Sequence, residues 1–243
     1  MAKKIVILCL TVFCLTGCFK KDKKLVLATE AGFAPYEYYE DGKVVGVDID
    51  IAKEIAKELG LELEIKDVAF DSIISEVKSG KSDIGAAGIS YNEERAKEVD
   101  FTVDYSTSKQ VVVVNERSRI NKLSDLDNIS DLKIAVQLGS ISDAYVTETY
   151  KNAEITRQKK VLAAIQDLKT NKVDAVVIDE LPAKEILKTN EGLRILDDIL
   201  FEDNYGIIVQ KGNEKLLKKV NKVLNRLIEE KKIESYIIKH TTK

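Results

Sequence analysis

The chain has 243 residues, of which 44% are hydrophobic and 33% charged, and its formal net charge is −3. This composition is typical of a globular protein with enough apolar residues for one large or two modest domains. Lysines and arginines are scattered among carboxylates, so no nucleic-acid partner is expected. All three cysteines, Cys9, Cys14 and Cys18, lie near the N-terminus. The rest of the chain therefore has no disulfide and no cysteine nucleophile or metal ligand.

The N-terminal segment has the pattern of a signal peptide. Two lysines precede an apolar run over residues 5–15, which is too short to span a bilayer. The following Leu15-Thr16-Gly17-Cys18 resembles the lipobox of bacterial lipoproteins, whose cysteine is lipidated, for example with palmitate. We therefore expect a signal peptide over residues 1–17, a lipid on Cys18 and a tether over residues 18–24. The protein is then extracytoplasmic and anchored to the outer face of the cytoplasmic membrane, or periplasmic.

Strands and helices alternate along the rest of the chain. Apolar, β-rich runs predict strands over residues 25–29, 63–68, 84–87, 111–114, 133–136, 174–178 and 206–210. Amphipathic patterns predict helices over residues 48–59, 72–78, 92–99, 142–150, 161–170, 182–188 and 214–232. Because such an alternation builds parallel sheets covered by helices on both faces, the expected fold class is α/β.

Two extended segments, residues 109–116 and 203–211, are the expected joints between two lobes. The chain has only two prolines and no Gly/Ser-rich linker, so nothing else marks a boundary. We expect lobe 1 to comprise residues 25–111 and 208–243, and lobe 2 residues 112–207. Two lobes joined by two strands can close on a ligand.

One helix–strand unit occurs twice in the sequence. Residues 77–88 align without gaps with residues 168–179, and each segment is a helix end, a Gly or Asn stop and a buried strand. Gly88 and Asp179 therefore take equivalent positions at the carboxyl ends of two strands. Ligands bind at such ends in open α/β sheets, so both residues are candidates for a binding site.

Residues 83–101 contain a candidate receptor for a carboxylate. A helix start at Asn92 brings free backbone N–H groups, the Ser90 hydroxyl and the Arg95 guanidinium to one place. Arginine suits this task because its planar fork matches both carboxylate oxygens. The alternative is an ordinary surface arginine in the first turn of a helix.

Six stretches carry a family resemblance: TEAGFAPYEY (residues 29–38), GVDID (46–50), GISYNEER (88–95), VDFT (99–102), QLGSI (137–141) and VDAVVID (173–179). In this order they resemble the bacterial extracellular solute-binding proteins of family 3, which serve amino-acid ABC transporters. The resemblance implies a two-lobed type II periplasmic-binding-protein fold. Each lobe would be a mostly parallel sheet flanked by helices, and two hinge strands would join the lobes.

The resemblance also implies roles at the amino-acid backbone of the ligand. Arg95 would hold the α-carboxylate, helped by Ser90 and by the backbone N–H of Ile141. Asp179 and the Gly88 carbonyl would accept hydrogen bonds from the α-ammonium. The alternative for Asp179 is a helix N-cap.

Further residues are implied around the ligand side chain. Phe33 and Phe70 would clamp its aliphatic stem, although core packing is the alternative for both. Ala87 stands where some members have a serine. Glu30 and Gln137 occupy the positions that set ligand choice.

The combination of Glu30 and Gln137 predicts a cationic ligand. Relatives that bind glutamine commonly have a lysine at the position of Gln137, and that lysine is absent here. A buried, unpaired carboxylate is costly, so Glu30 should either be protonated or await a cation, arginine first and lysine second. The alternative is a Glu30 that faces solvent.

The functional expectation is a non-enzymatic, monomeric binding protein that takes a free amino acid to ABC permease subunits and needs no cofactor or metal. Glutamine or histidine binding is the alternative within the family. Two other classes stay open: a dehydratase on the same scaffold and a ligand sensor. The only histidine, His240, is expected in a frayed tail, which disfavours an enzyme.

Overall fold

The structure is a computed structural model that describes residues 23–241. The predicted signal peptide, the lipidation site Cys18 and most of the tether lie outside the described residues. Within residues 23–241, no helix has the length and apolar character needed to cross a membrane.

The described chain alternates strands and helices, as predicted. The strands are β1 Lys24–Thr29, β2 Tyr38–Glu40, β3 Lys43–Val45, β4 Glu62–Asp67, β5 Ile84–Gly85, β6 Val99–Phe101, β7 Ser106–Asn115, β8 Lys133–Gln137, β9 Glu154–Gln158, β10 Ala175–Asp179, β11 Leu193–Tyr205 and β12 Ile208–Gln210. The α-helices are α1 Val47–Leu59, α2 Ile73–Lys78, α3 Glu93–Glu98, α4 Ile141–Thr149, α5 Val161–Lys169, α6 Glu180–Leu187, α7 Glu214–Glu229 and α8 Lys232–Thr241. Short 3-10 helices cover Phe70–Ser72 and Leu123–Asn128.

Two five-stranded sheets form the two lobes. The order is β4-β1-β5-β12-β6 in the first and β11-β7-β10-β8-β9 in the second. In the first sheet β12 runs antiparallel to both of its neighbours, and in the second β7 does the same. The other four strands of each sheet share one direction, which confirms the expected α/β fold with mostly parallel sheets.

The chain passes between the sheets twice, within residues 102–105 and within residues 206–207. On the second-sheet side, β7 and β11 pair antiparallel, with Ser106 opposite Tyr205. Both expected joints overlap this strand pair, and residues 106–111 pair within the second sheet. The division into lobes at residues 111/112 and 207/208 stays a prediction.

Amphipathic helices cover the sheets because their apolar stripes are buried. The stripe of α1 packs into the core with Ile49, Ala52 and Ile55. Gly60 ends this helix in the left-handed conformation at φ 66°, and its N–H bonds the carbonyls of the last turn. A left-handed C-cap favours glycine, which is why the sequence located this helix end correctly.

The C-terminal helix α8 was not predicted, and the expectation of a frayed tail around His240 is wrong. The His240 ring is buried, its Nε2 lies 3.0 Å from Asp50 Oδ2, and its Nδ1 lies 3.0 Å from the Tyr38 hydroxyl. Lys239 Nζ also lies 2.6 Å from Asp50 Oδ2. These contacts hold α8 against α1, although the two helices lie far apart in the sequence.

Candidate functional site

The predicted site residues converge where the two lobes meet. Glu30 follows β1, Ala87 and Gly88 follow β5, Gln137 ends β8 and Asp179 ends β10. All five are buried. The facing ends of the two sheets therefore carry the residues that the sequence singled out, and side chains of one lobe reach the other.

Arg95 is buried, not an ordinary surface arginine. Asn92 caps α3 by accepting a hydrogen bond from Arg95 N at 2.8 Å. The guanidinium donates from Nη1 to the Ser90 carbonyl at 2.6 Å and from Nη2 to the Gly139 carbonyl of the other lobe at 2.8 Å. Its central carbon also lies 5.6 Å from the centroid of the Phe70 ring. Phe70 thus packs on a charged site residue.

Burial lowers the pKa of Arg95 to about 10, while the carboxylates of Asp203 and Asp179 raise it. The guanidinium is therefore charged at neutral pH. Its two terminal nitrogens donate to the Ser90 and Gly139 carbonyls, and the Asp203 and Asp179 carboxylates offset its positive charge. Such a group can bind an anion without the cost of being ordered at that moment.

The N-terminus of α4 lies next to Arg95. Gly139 precedes it with φ 75°, and the Ser140 side chain caps the helix by accepting from Asp143 N at 3.1 Å. Ile141 is the first helical residue, so its N–H belongs to the turn whose donors have no partner within the helix. Because the Gly139 carbonyl accepts from Arg95, the helix N-terminus and the guanidinium can act on one carboxylate.

Asp179 lies at the N-cap position of α6, but its side chain makes no capping hydrogen bond. Its Oδ1 accepts from Ser108 Oγ at 2.6 Å, from Gln110 Nε2 at 2.5 Å and from the Tyr205 hydroxyl. Among residues 23–241, every hydrogen bond to this carboxylate ends on Oδ1. Oδ2 therefore keeps its capacity to accept from an ammonium group.

The pKa of Asp179 is raised to about 6, because burial and the negative charge of Asp203 outweigh the three donors, which lower it. The carboxylate is ionised at pH 7 and titrates in the mildly acidic range. A neighbouring cation would favour the ionised form.

Asp203 was missed by the sequence analysis. The Ser90 hydroxyl donates to its Oδ2, and Gln110 Nε2 lies 3.2 Å from its Oδ1. Burial raises the pKa of Asp203, and the donors and Arg95 lower it. Ser90, the predicted partner of a ligand carboxylate, is thus engaged by a carboxylate of the chain itself. No local motif marks Asp203, which is one of three aspartates in strand β11.

Gly88 adopts φ 54°, which favours glycine, and its N–H donates to Asp48 Oδ2 at 3.0 Å. A Cβ at this position would come within 3.1 Å of Phe33 Cε1 and 3.2 Å of the Tyr205 ring. Phe33 is buried and stacks on Tyr36 with 6.2 Å between centroids. The ring therefore packs directly against the Gly88 turn.

Glu30 is only 1% exposed, so the alternative of a solvent-facing side chain is wrong. Its Oε2 accepts from Gln137 Nε2 at 3.2 Å, across the two lobes. Lys160 Nζ lies 3.2 Å from its Oε1. The expectation that Glu30 lacks a lysine is therefore wrong. The lysine comes from the residue before α5 rather than from the position of Gln137.

Within the described residues, the buried Oε1 of Glu30 receives no well-aligned hydrogen bond, although Lys160 pairs with it by charge. Burial raises the pKa of Glu30, and Lys160 and Gln137 lower it. Lys160 itself keeps 53% of its side chain exposed. The sequence contained no signal for this pair, because a lysine before a helix is common.

The sequence profile of the bacterial extracellular solute-binding proteins, family 3, matches residues 25–243. The chain belongs to this family. The resemblance carried by the six motifs is confirmed.

Individual relatives of this family 3 protein agree with the match. The chain is 31% identical to the arginine-binding extracellular protein ArtP of Bacillus subtilis (strain 168), over 90% of this chain and 89% of that protein. It is similar to AbpA of Streptococcus pneumoniae, an amino acid ABC transporter substrate-binding protein bound to L-arginine, with a TM-score of 0.83, 35% identity and coverage of 88% and 92%. An ancestral arginine-binding protein bound to glutamine also has a TM-score of 0.83, with 38% identity and coverage of 90% and 98%.

These family 3 relatives are substrate-binding proteins rather than enzymes, as predicted for this chain. The protein is therefore a substrate-binding component of amino-acid ABC transport that works outside the cytoplasm, with an amino acid and permease subunits as its partners. The two-lobed architecture is that of the structural neighbours.

Proposed function

We propose that the protein binds arginine between its lobes and delivers it to ABC permease subunits. The observation that carries amino-acid binding is a pair of buried, opposite charges from different lobes, Arg95 and Asp179, close enough for Asp179 to raise the pKa of Arg95. Their chemistry is complementary to the α-carboxylate and α-ammonium that all amino acids share. We call this pair, with the N-terminus of α4, the amino-acid end of the site.

The side-chain end of the site consists of Glu30, Gln137 and Lys160. One oxygen of the buried Glu30 carboxylate has no aligned hydrogen-bond donor. The guanidinium of an arginine ligand can supply that donor. ArtP and AbpA, both similar to this chain, are an arginine-binding protein and a protein bound to L-arginine. Both considerations favour arginine over lysine.

Glutamine is the second candidate ligand. The observation that favours it is the pair of Lys160 and Glu30, because a carboxylate already neutralised does not require a cationic ligand. The glutamine bound to the ancestral arginine-binding protein supports the same alternative.

Calorimetric titration of the purified full-length protein in detergent against the twenty amino acids tests the proposal. We expect arginine to bind most tightly, with a dissociation constant near micromolar, which corresponds to roughly 8 kcal/mol. Tight binding of an acidic amino acid, with no heat from arginine, lysine or glutamine, would contradict it.

We also propose that the protein is a monomeric lipoprotein, cleaved after residue 17 and lipidated at Cys18. The proposal is supported by the lipobox-like motif behind a basic and then apolar start. Mass spectrometry should find the lipid on Cys18, and Cys18→Ala should leave an unlipidated precursor. A wild-type protein cleaved elsewhere and free of lipid would refute this anchor.

A further inference from the structure

Glu30 and Lys160 form an ion pair between the lobes whose two members differ in solvent exposure. The Glu30 carboxylate is buried in the first lobe, and Gln137 of the second lobe donates a hydrogen bond to it. Lys160 reaches it from the residue before α5 in the second lobe, and more than half of its side chain stays in solvent. A lysine has a long, flexible stem, so Lys160 can move into solvent when another cation takes its place on the carboxylate.

The surroundings of the pair are also negative. Asp67 lies near enough to raise the pKa of both Glu30 and Lys160. It is held in place by hydrogen bonds from Ala31 N and from the Tyr39 hydroxyl, both at 2.9 Å. Lys160 therefore pairs with Glu30 while the charge of Asp67 adds to the negative potential around it.

A buried carboxylate stays ionised only while it has a positive partner or sufficient hydrogen bonds; otherwise it takes up a proton. A ligand with a neutral side chain brings no charge, so Lys160 stays on Glu30 and keeps it ionised. A ligand with a guanidinium brings its own cation and a donor for the Glu30 oxygen that lacks an aligned hydrogen bond. Two cations on one carboxylate repel each other, so the half-exposed Lys160 is the one that departs.

We propose that Lys160 is an exchangeable counter-ion that determines ligand choice. It pairs with Glu30 when the ligand side chain is neutral and yields that place to the guanidinium when arginine binds. This inference rests on the proposed function. It predicts that one site accepts both ligand classes and that Lys160 leaves Glu30 when arginine binds.

The test compares arginine with citrulline, which has nearly the same shape and a neutral urea in place of the guanidinium. Full-length wild type, Lys160→Met and the control Lys159→Met are titrated calorimetrically with both ligands. Lys159 is a matched control because it is the neighbouring exposed lysine and has no ion pair with Glu30 within the described residues.

In Lys160→Met, the ratio of the citrulline to the arginine dissociation constant should rise at least tenfold over wild type. Citrulline would meet an uncompensated Glu30, whereas arginine would lose its competitor. Lys159→Met should keep the wild-type ratio. Lys160→Gln provides a second neutral variant if the methionine disturbs folding.

If wild type binds arginine but the ratio in both Lys160 variants stays within twofold of wild type or falls, the inference alone is wrong. If wild type binds no amino acid, the proposed function fails as well. A rise of similar size in Lys159→Met would also overturn the inference, because it would reflect general surface charge.

Discussion

The two ends of the site differ in how their charges are held. At the amino-acid end, Arg95 and Asp179 are both buried: the guanidinium donates to two backbone carbonyls, and the carboxylate accepts from three side chains. At the side-chain end, a buried Glu30 faces the half-exposed Lys160. In the proposed function, the amino-acid end binds the α-carboxylate and α-ammonium that all amino acids share, and the side-chain end binds the part that varies among them. A rigid pair suits the first, and an exchangeable pair suits the second.

The largest expected effect removes either charge of the amino-acid end. Arg95→Ala or Asp179→Ala should weaken arginine and glutamine alike by about 3–5 kcal/mol, because each leaves a buried ligand charge without its partner. Calorimetry measures the loss. The exposed Arg117→Ala is the control and should bind as wild type does. Near-native affinity of either variant would show that the ligand binds elsewhere.

A smaller effect, restricted to one ligand, is expected at the side-chain end. Glu30→Gln should weaken arginine by about 2 kcal/mol and spare or improve glutamine, because only the charged ligand loses its counter-ion. Lys160 can then turn to solvent. The exposed Glu62→Gln serves as the control in the same titrations. Equal losses for both ligands would mean that the two ends are not separate.

Acidification should weaken both ligands through Asp179. Its pKa of about 6 means that the carboxylate takes up a proton as the pH falls through 6, and the ammonium binds only the ionised form. Between pH 7.5 and pH 5 the affinity should fall about tenfold, or roughly 1.4 kcal/mol.

Arginine should lose more than glutamine as the pH falls, since burial also raises the pKa of Glu30, whose ionised form the arginine side chain requires. Titrations at four pH values measure both slopes. Asp179→Asn should bind weakly, and glutamine binding to it should no longer follow the titration near pH 6. A pH-independent wild type would contradict the assignment of Asp179.

The smallest effect concerns the ring beneath Arg95. Phe70→Leu should cost about 0.5–1 kcal/mol for both ligands, because it removes the aromatic face near the guanidinium. Phe201→Leu alters a ring that packs on Tyr145 instead, at 4.6 Å between centroids, and should leave the affinities unchanged. A loss confined to arginine would indicate that Phe70 contacts the ligand side chain directly.

Local signals were sufficient for much of the fold. The stripe of α1, its glycine end at Gly60 and the apolar run of β10 are read from neighbouring residues, and the structure has all three. The strands β9 and β11 were not predicted, because polar residues on their exposed sides interrupt the apolar run. The helix α8 was missed because contacts such as His240 with Asp50 stabilise it.

The sequence by itself determined the alternating α/β architecture and the family. It also marked Arg95, Asp179, Glu30 and Gln137 as candidate site residues, since each lies in a motif or at a strand end. Only the tertiary structure decided that Lys160 pairs with Glu30 and that Asp203 engages Ser90. The physical reason is that both contacts join different lobes. Side chains far apart in the sequence come into contact only when the two sheets pack against each other. No local sequence pattern encodes that packing.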